Sequence, residues 1–132
     1  QAAGSQRRLR GLELGCGTGV GGLSLAFLGQ DAILSDIGEL QALQTQGNIN
    51  RNRTQIAAAG GSASYVELDW NRLPDRASLG PLDVVCGSDV IWHETLVEPF
   101  VQAVAWALSG PGPSEALLSH KVRDEESVLL FD

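Results

Sequence analysis

The sequence predicts one α/β domain over residues 1–132, a parallel sheet with helices on both faces. Three observations carry that expectation. Compact apolar runs alternate with amphipathic, helix-compatible stretches in the order β-α-β-α-β-β-α-β-α. The runs are apolar nearly throughout, as strands covered on both faces are. A glycine-rich turn, Gly15-Cys16-Gly17-Thr18-Gly19, joins the first run to the first helical stretch.

Gln1 to Arg8 is polar and basic and reads as a mobile lead-in. Leu9 to Leu14 is the first strand. A helix follows from Val20 to Leu28, with Gly29 placed to end it in a left-handed turn. Ala32-Ile33-Leu34, stopping at Ser35-Asp36, is the second strand. Glu39 to Ala59 suits a long helix with Leu40, Leu43, Gly47 and Ile56 on one side, closed by Gly60-Gly61. Alternation over Ser64 to Leu68 gives a third strand before Asp69-Trp70, and Pro74 to Pro81 is a loop. Leu82 to Gly87 is a fourth strand leading into Ser88-Asp89. From Thr95 to Leu108, apolar residues including Leu96, Phe100, Val104 and Leu108 keep helical spacing. Trp106 on this helix reads as a core residue. Beyond the break at Gly110-Pro111-Gly112-Pro113, Ala116 to Ser119 is a fifth strand, and Asp124-Glu125-Glu126 reads as the acidic first turn of a further helix.

Nine Lys and Arg stand against 16 Asp and Glu, for a formal charge of −7 and a pI near 4.7. That balance argues against a general binder of nucleic acid or membrane surfaces. No apolar run approaches the length of a membrane span. Cys16 and Cys86 are too few for a disulfide framework, so reduced thiols and a cytoplasmic or nuclear setting are the expectation. A monomer is expected. Methionine is absent, position 1 included, which suggests a segment of a longer chain.

The unusual polar residues fall at one place. In an open parallel sheet, ligands bind at the carboxyl ends of the strands, near the switch in strand order. Glu13 and the glycines end strand one, Asp36 ends strand two, Asp69-Trp70 ends strand three, and Ser88-Asp89 ends strand four. Two ligand classes compete for that edge. Gly17-Thr18-Gly19-Val20-Gly21-Gly22 matches G-x-G-x-x-G, and Asp36 lies at about the right spacing to hold a ribose, so a nicotinamide dinucleotide is one reading. A pyrophosphate would meet Glu13, Asp69 and Asp89 there, with no Lys or Arg in the loop. An adenosyl ligand with a cationic half fits the charge better: Asp36 on the ribose, Asp69 and Trp70 on the adenine, Glu13 on an ammonium. S-adenosylmethionine has those parts.

These residues resemble a family. Leu12-Glu13-Leu14-Gly15-Cys16-Gly17-Thr18-Gly19 is similar to motif I of class I, seven-β-strand S-adenosylmethionine-dependent methyltransferases. Ser35-Asp36, Asn48-x-Asn50-x-Asn52, Glu67-Leu68-Asp69-Trp70, Asp89-Val90-Ile91-Trp92 and Ser119-His120-Lys121-Val122-Arg123 follow in the order of its protein-lysine methyltransferase branch. The resemblance implies a Rossmann-like fold, S-adenosylmethionine as cofactor and a lysine-bearing protein as substrate. It places Glu13, Gly15 and Gly17 along the methionine part, Asp36 on the ribose, Asp69 and Trp70 on the adenine, and Ser88 beside the cofactor. Asp89 opens the branch's Asp/Glu-x-x-Tyr/Phe motif near the transfer site. Trp92 departs from that motif, and His120 stands where tyrosine is common. Asp89 is expected to orient the target amine and Trp92 to wall it; no metal is expected.

Bland readings stand beside these. Trp70 could equally cap the core, Trp92 could pack a helix start, and Arg51-Asn52-Arg53 is most simply a solvated face. His93-Glu94 is no metal motif, since Val97 stands where H-E-x-x-H needs its second histidine. A non-catalytic or small-molecule-directed member of the same fold is the alternative. The family fold has seven strands, and the sequence ends at Asp132 before the last two; the fifth strand is therefore expected at an edge and the segment alone is expected to bind cofactor weakly.

Overall fold

The computed structural model describes residues 6–112 and 114–122. Five strands form one parallel sheet: β1 (Arg10–Leu14), β2 (Asp31–Asp36), β3 (Ser62–Glu67), β4 (Val84–Ser88) and β5 (Glu115–Ser119). Their order is β3-β2-β1-β4-β5, so the chain reverses its direction of travel between β1 and β4. That pair marks the switch point, where the carboxyl ends of neighbouring strands open a crevice. Three helices cover the sheet: α1 (Val20–Phe27), α2 (Glu39–Ala58) and α3 (Val97–Leu108). The expected helix from Asp124 lies outside the described residues.

Strand alternation sorts the core into two layers. Leu12, Leu14, Ile33 and Val85 point to one face and pack with Phe100, Ala103 and Ala107 of α3. Ala32 and Leu34 point to the other and pack with Leu23 and Ala26 of α1 and Ile49 and Ile56 of α2. Glu13, between Leu12 and Leu14, therefore faces α1. The helix lies close there, because a Cβ on Gly22 would come within 2.5 Å of the Leu34 side chain and 2.9 Å of a Glu13 oxygen.

Four details differ from the sequence reading. Leu40 and Leu43 are 84% and 63% exposed, and α2 instead buries Thr45, Ile49 and Ile56. Hydrophobic periodicity misplaces this face because its inward stripe is partly polar, for a reason that becomes clear at the glycine loop. The run before α3 is a separate 3₁₀ turn, Glu94–Leu96, capped by His93 Nδ1, which accepts from the Thr95 amide. The lead-in is fastened where it is described: Arg7 pairs with Asp83 at 2.5 Å, and Arg8 donates to the Gly60 carbonyl at 2.7 Å. Trp106 is half-buried rather than fully internal; its Nε1 donates to the Pro74 carbonyl at 2.9 Å, and Arg76 lies over its ring. β5 is exposed at all five positions, as an outer strand is expected to be.

Candidate active site

The loop from β1 to α1 turns on glycines. Gly15, Gly17 and Gly19 have φ of 63°, 53° and 91°, in the region that side chains avoid. They differ in surroundings. A Cβ on Gly15 would lie 2.8 Å from Val90 Cγ1 and 3.5 Å from Trp70 Cζ2, whereas one on Gly17 would meet nothing within 4 Å. Gly15 is thus a packing requirement, and Gly17 borders open space into which a ligand can come close.

Six of the sequence-predicted residues line one cleft of about 320 Å³: Gly15, Asp36, Asp69, Trp70, Asp89 and Trp92. Ile37, Leu68, Asn71, Val90, Leu96 and Pro99 complete it, and no lysine or arginine is among them. Glu13 and Ser88 line a second cleft of about 300 Å³ with Gly21, Cys86, Gly87 and residues Leu117 to Ser119. Gly17 lines neither, but its amide donates to Asp36 Oδ2 at 2.8 Å. Asp36 also receives the Ile37 amide on its other oxygen at 2.8 Å, so two backbone donors aim its carboxylate.

Trp70 serves the core and the cleft together. Its ring stands 5.2 Å from Phe100, tilted at 55°, and it is packed against the α3-side layer while one edge lines the cleft. Core packing and cleft lining are compatible here, since one indole has area enough for both. Trp92 is 79% exposed and forms the cleft's lip, while its neighbour Ile91 is buried.

Asp89 has φ 55°, unusual for a residue with a Cβ, though aspartate tolerates it better than most. Its amide donates to the Ser119 carbonyl at 2.8 Å, which locks the turn to β5. His120 Nδ1 stands 3.9 Å from its Oδ1. Backbone strain at a cleft carboxylate is a common mark of a functional turn.

Glu13 is buried at 6% exposure, and its Oε2 accepts from the Gly22 amide at 2.6 Å. Burial pushes its carboxyl above the usual range, the Gly22 bond offsets part of that, and the negative charge of Asp36 adds to the rise. With the folded value raised, the native state binds the proton more tightly than the unfolded one. Stability therefore falls as pH rises from the ordinary carboxylate range through the folded value. Glu13→Gln is expected to be more stable than the parent at neutral pH, with the gap closing below about pH 4. Melting curves across that range check it, and a variant less stable at neutral pH would contradict it. The cysteines are both free, and burial pushes Cys16 up to about 12 and Cys86 to about 11, so neither is a ready nucleophile.

Sequence reasoning missed Gln41 and Thr45 of α2 and gave Asn48 no role beyond the family resemblance; the three hold the glycine loop from behind, where Thr45 Oγ1 donates to the Gly17 carbonyl at 2.8 Å and Asn48 Nδ2 to that of Thr18 at 2.7 Å.

Residues 1–132 match a family model described as lysine methyltransferase. The sequence is 30% identical over 120 residues to EEF1A lysine methyltransferase 3 of Mus musculus, covering 91% of this chain and 48% of that protein. It is 29% identical to histone-arginine methyltransferase METTL23 of Xenopus laevis (89% and 49% covered) and 29% identical to protein N-lysine methyltransferase METTL21A of Danio rerio (88% and 51%). The chain spans about half the length of these curated relatives.

Proposed function

From the premise that this chain belongs to the lysine methyltransferase family, we propose that it supplies the S-adenosylmethionine-binding part of a protein-lysine N-methyltransferase. One observation carries the cofactor reading. The cleft at the switch point gathers three carboxylates, two indoles and a glycine turn, with no cationic side chain among the described residues to receive a pyrophosphate. That lining suits a cationic adenosyl ligand and disfavours a dinucleotide. The open approach at Gly17 fits such a ligand as well.

In this reading Asp36, aimed by the Gly17 and Ile37 amides, takes the ribose hydroxyls. Asp69 and Trp70 flank the adenine. Glu13, Gly15 and Gly17 border the methionine end, and Ser88 lies beside the cofactor after β4. When bound, the cofactor supplies an activated methyl group on a sulfonium. The chain's own task is to bring an amine in line and exclude water. A target lysine near its reference pKa of about 10.4 is protonated at neutral pH and must lose that proton before it attacks. Asp89 orients the ammonium, and Trp92 at the lip holds it through its ring face until the proton leaves to solvent. Trp92→Ala is expected to raise KM for the protein substrate roughly 2- to 30-fold, as a loss of about 0.5–2 kcal/mol gives, with cofactor affinity unchanged. Steady-state kinetics at saturating cofactor decide this.

Calorimetric titration with S-adenosylhomocysteine and with NAD tests the cofactor. Binding of the first alone supports the reading, and binding of NAD alone overturns it. Labelled methyl transfer into separated proteins, followed by identification of the modified residue, tests the substrate. An arginine target is the second reading, favoured by the likeness to a histone-arginine methyltransferase.

A further inference from the structure

We propose that Gln41, Thr45 and Asn48 are positioning residues for cofactor binding, forming a polar bracket on α2 that fixes the peptide planes of the glycine loop; this rests on the cofactor reading above. The three side chains recur along one face of α2, four and then three residues apart, and that face lies against the loop rather than against apolar core. Thr45 is fully buried. Its hydroxyl donates to the Gly17 carbonyl at 2.8 Å, accepts from Gln41 Nε2 at 3.2 Å, and lies 3.9 Å from Cys16 Sγ. Gln41 Nε2 also donates to the Gly17 carbonyl. Asn48 Nδ2 takes the next carbonyl, that of Thr18.

The consequence lies in what sits at the other end of the same residue. The Gly17 amide donates to Asp36 Oδ2, so Gly17 is gripped through its N–H by the ribose-site carboxylate and through its C=O by α2. The neighbouring carbonyls are engaged too, Cys16 by the Gly19 amide at 2.8 Å and Gly19 by the Leu23 amide at 2.9 Å. Glycine at φ 53° gives Gly17 no side-chain restraint of its own, so its orientation depends on these partners. A bracket that releases the Gly17 carbonyl lets the residue rotate, and Asp36 loses one of the two donors that aim it. A buried hydroxyl whose only task was stability could face any acceptor; this one faces the loop that the cofactor must touch.

The test compares Thr45→Val, which keeps the shape and removes the hydroxyl, with Thr45→Ser, which restores it, in the full natural chain. Thr45→Val is expected to weaken S-adenosylhomocysteine binding by about tenfold, the scale of a lost buried hydrogen bond, and to raise cofactor KM with little change in kcat. Thr45→Ser should return both to near the parent values. Should Thr45→Val not fold, Gln41→Ala and the outward-lying Asn48→Asp, which sets a carboxylate against the Thr18 carbonyl, carry the same expectation. A lowered melting temperature with unchanged cofactor affinity overturns the bracket and leaves the cofactor reading intact. Absence of S-adenosylhomocysteine binding by the unaltered protein overturns both.

Discussion

Gly15→Val is expected to abolish measurable S-adenosylhomocysteine binding and to lower the melting temperature. Two costs add at that position. A β-branched residue at φ 63° is forced into a left-handed conformation it rarely adopts, at about 1–3 kcal/mol. Its Cβ would also lie 2.8 Å from Val90 Cγ1, and overpacking of that kind costs roughly 1–3 kcal/mol more. Relief requires Val90 and Trp70 to move, and both line the cleft, so the strain is released into the binding site itself. Gly17→Ala provides the contrast. Its Cβ meets no protein atom, so only the φ penalty of about 1–2 kcal/mol acts on stability. Calorimetry and melting curves on the two variants separate them: Gly15→Val loses fold stability and binding together, whereas Gly17→Ala loses binding out of proportion to stability. Equal binding by Gly15→Val and the parent would show that the loop is not the cofactor's seat.

Asp89→Asn is expected to lower kcat by about 100-fold, the penalty of an ill-placed reactant, while cofactor affinity stays within about twofold. Asparagine keeps the size of the side chain and tolerates φ 55° as aspartate does, so the turn and its amide bond to the Ser119 carbonyl should survive. What is removed is the negative charge facing the cleft. If that charge orients an ammonium, the target amine binds in many poses and few are in line. Single-turnover rates with saturating cofactor read the chemical step directly. Turnover at the parent rate would reassign Asp89 to a structural role, in which its backbone geometry matters and its carboxylate does not.

The site was legible in unequal parts. Glu13, Asp36, Asp69 and Asp89 could be placed because each ends an apolar run, and parallel strands bring their carboxyl ends to one edge. Their division between two clefts could not. Glu13 pairs with Leu34 and so shares a face with Asp36 two residues on, but the Gly22 amide holds Glu13 against α1 while the Gly17 and Ile37 amides hold Asp36 at the strand end. The α2 bracket was illegible for a different reason. Periodicity detects burial by apolarity, and here the residue held inside is Thr45, kept there by donating to the Gly17 carbonyl of a loop nearly thirty residues earlier. Leu40 and Leu43 misled because nothing local marks an exposed leucine.

By itself the sequence determined the α/β class, the parallel sheet, the glycine turn and the row of strand-end acids, since these follow from local patterning and from the few topologies that right-handed crossovers allow. It also carried the family, through motifs that occur along the chain in the family's order. Only the tertiary structure decided which glycine is pressed by neighbours and which faces open space, that Trp70 serves both core and cleft, and that α2 grips the loop through its polar side. Those facts depend on distances between segments far apart in sequence, which strand register and helix packing set together.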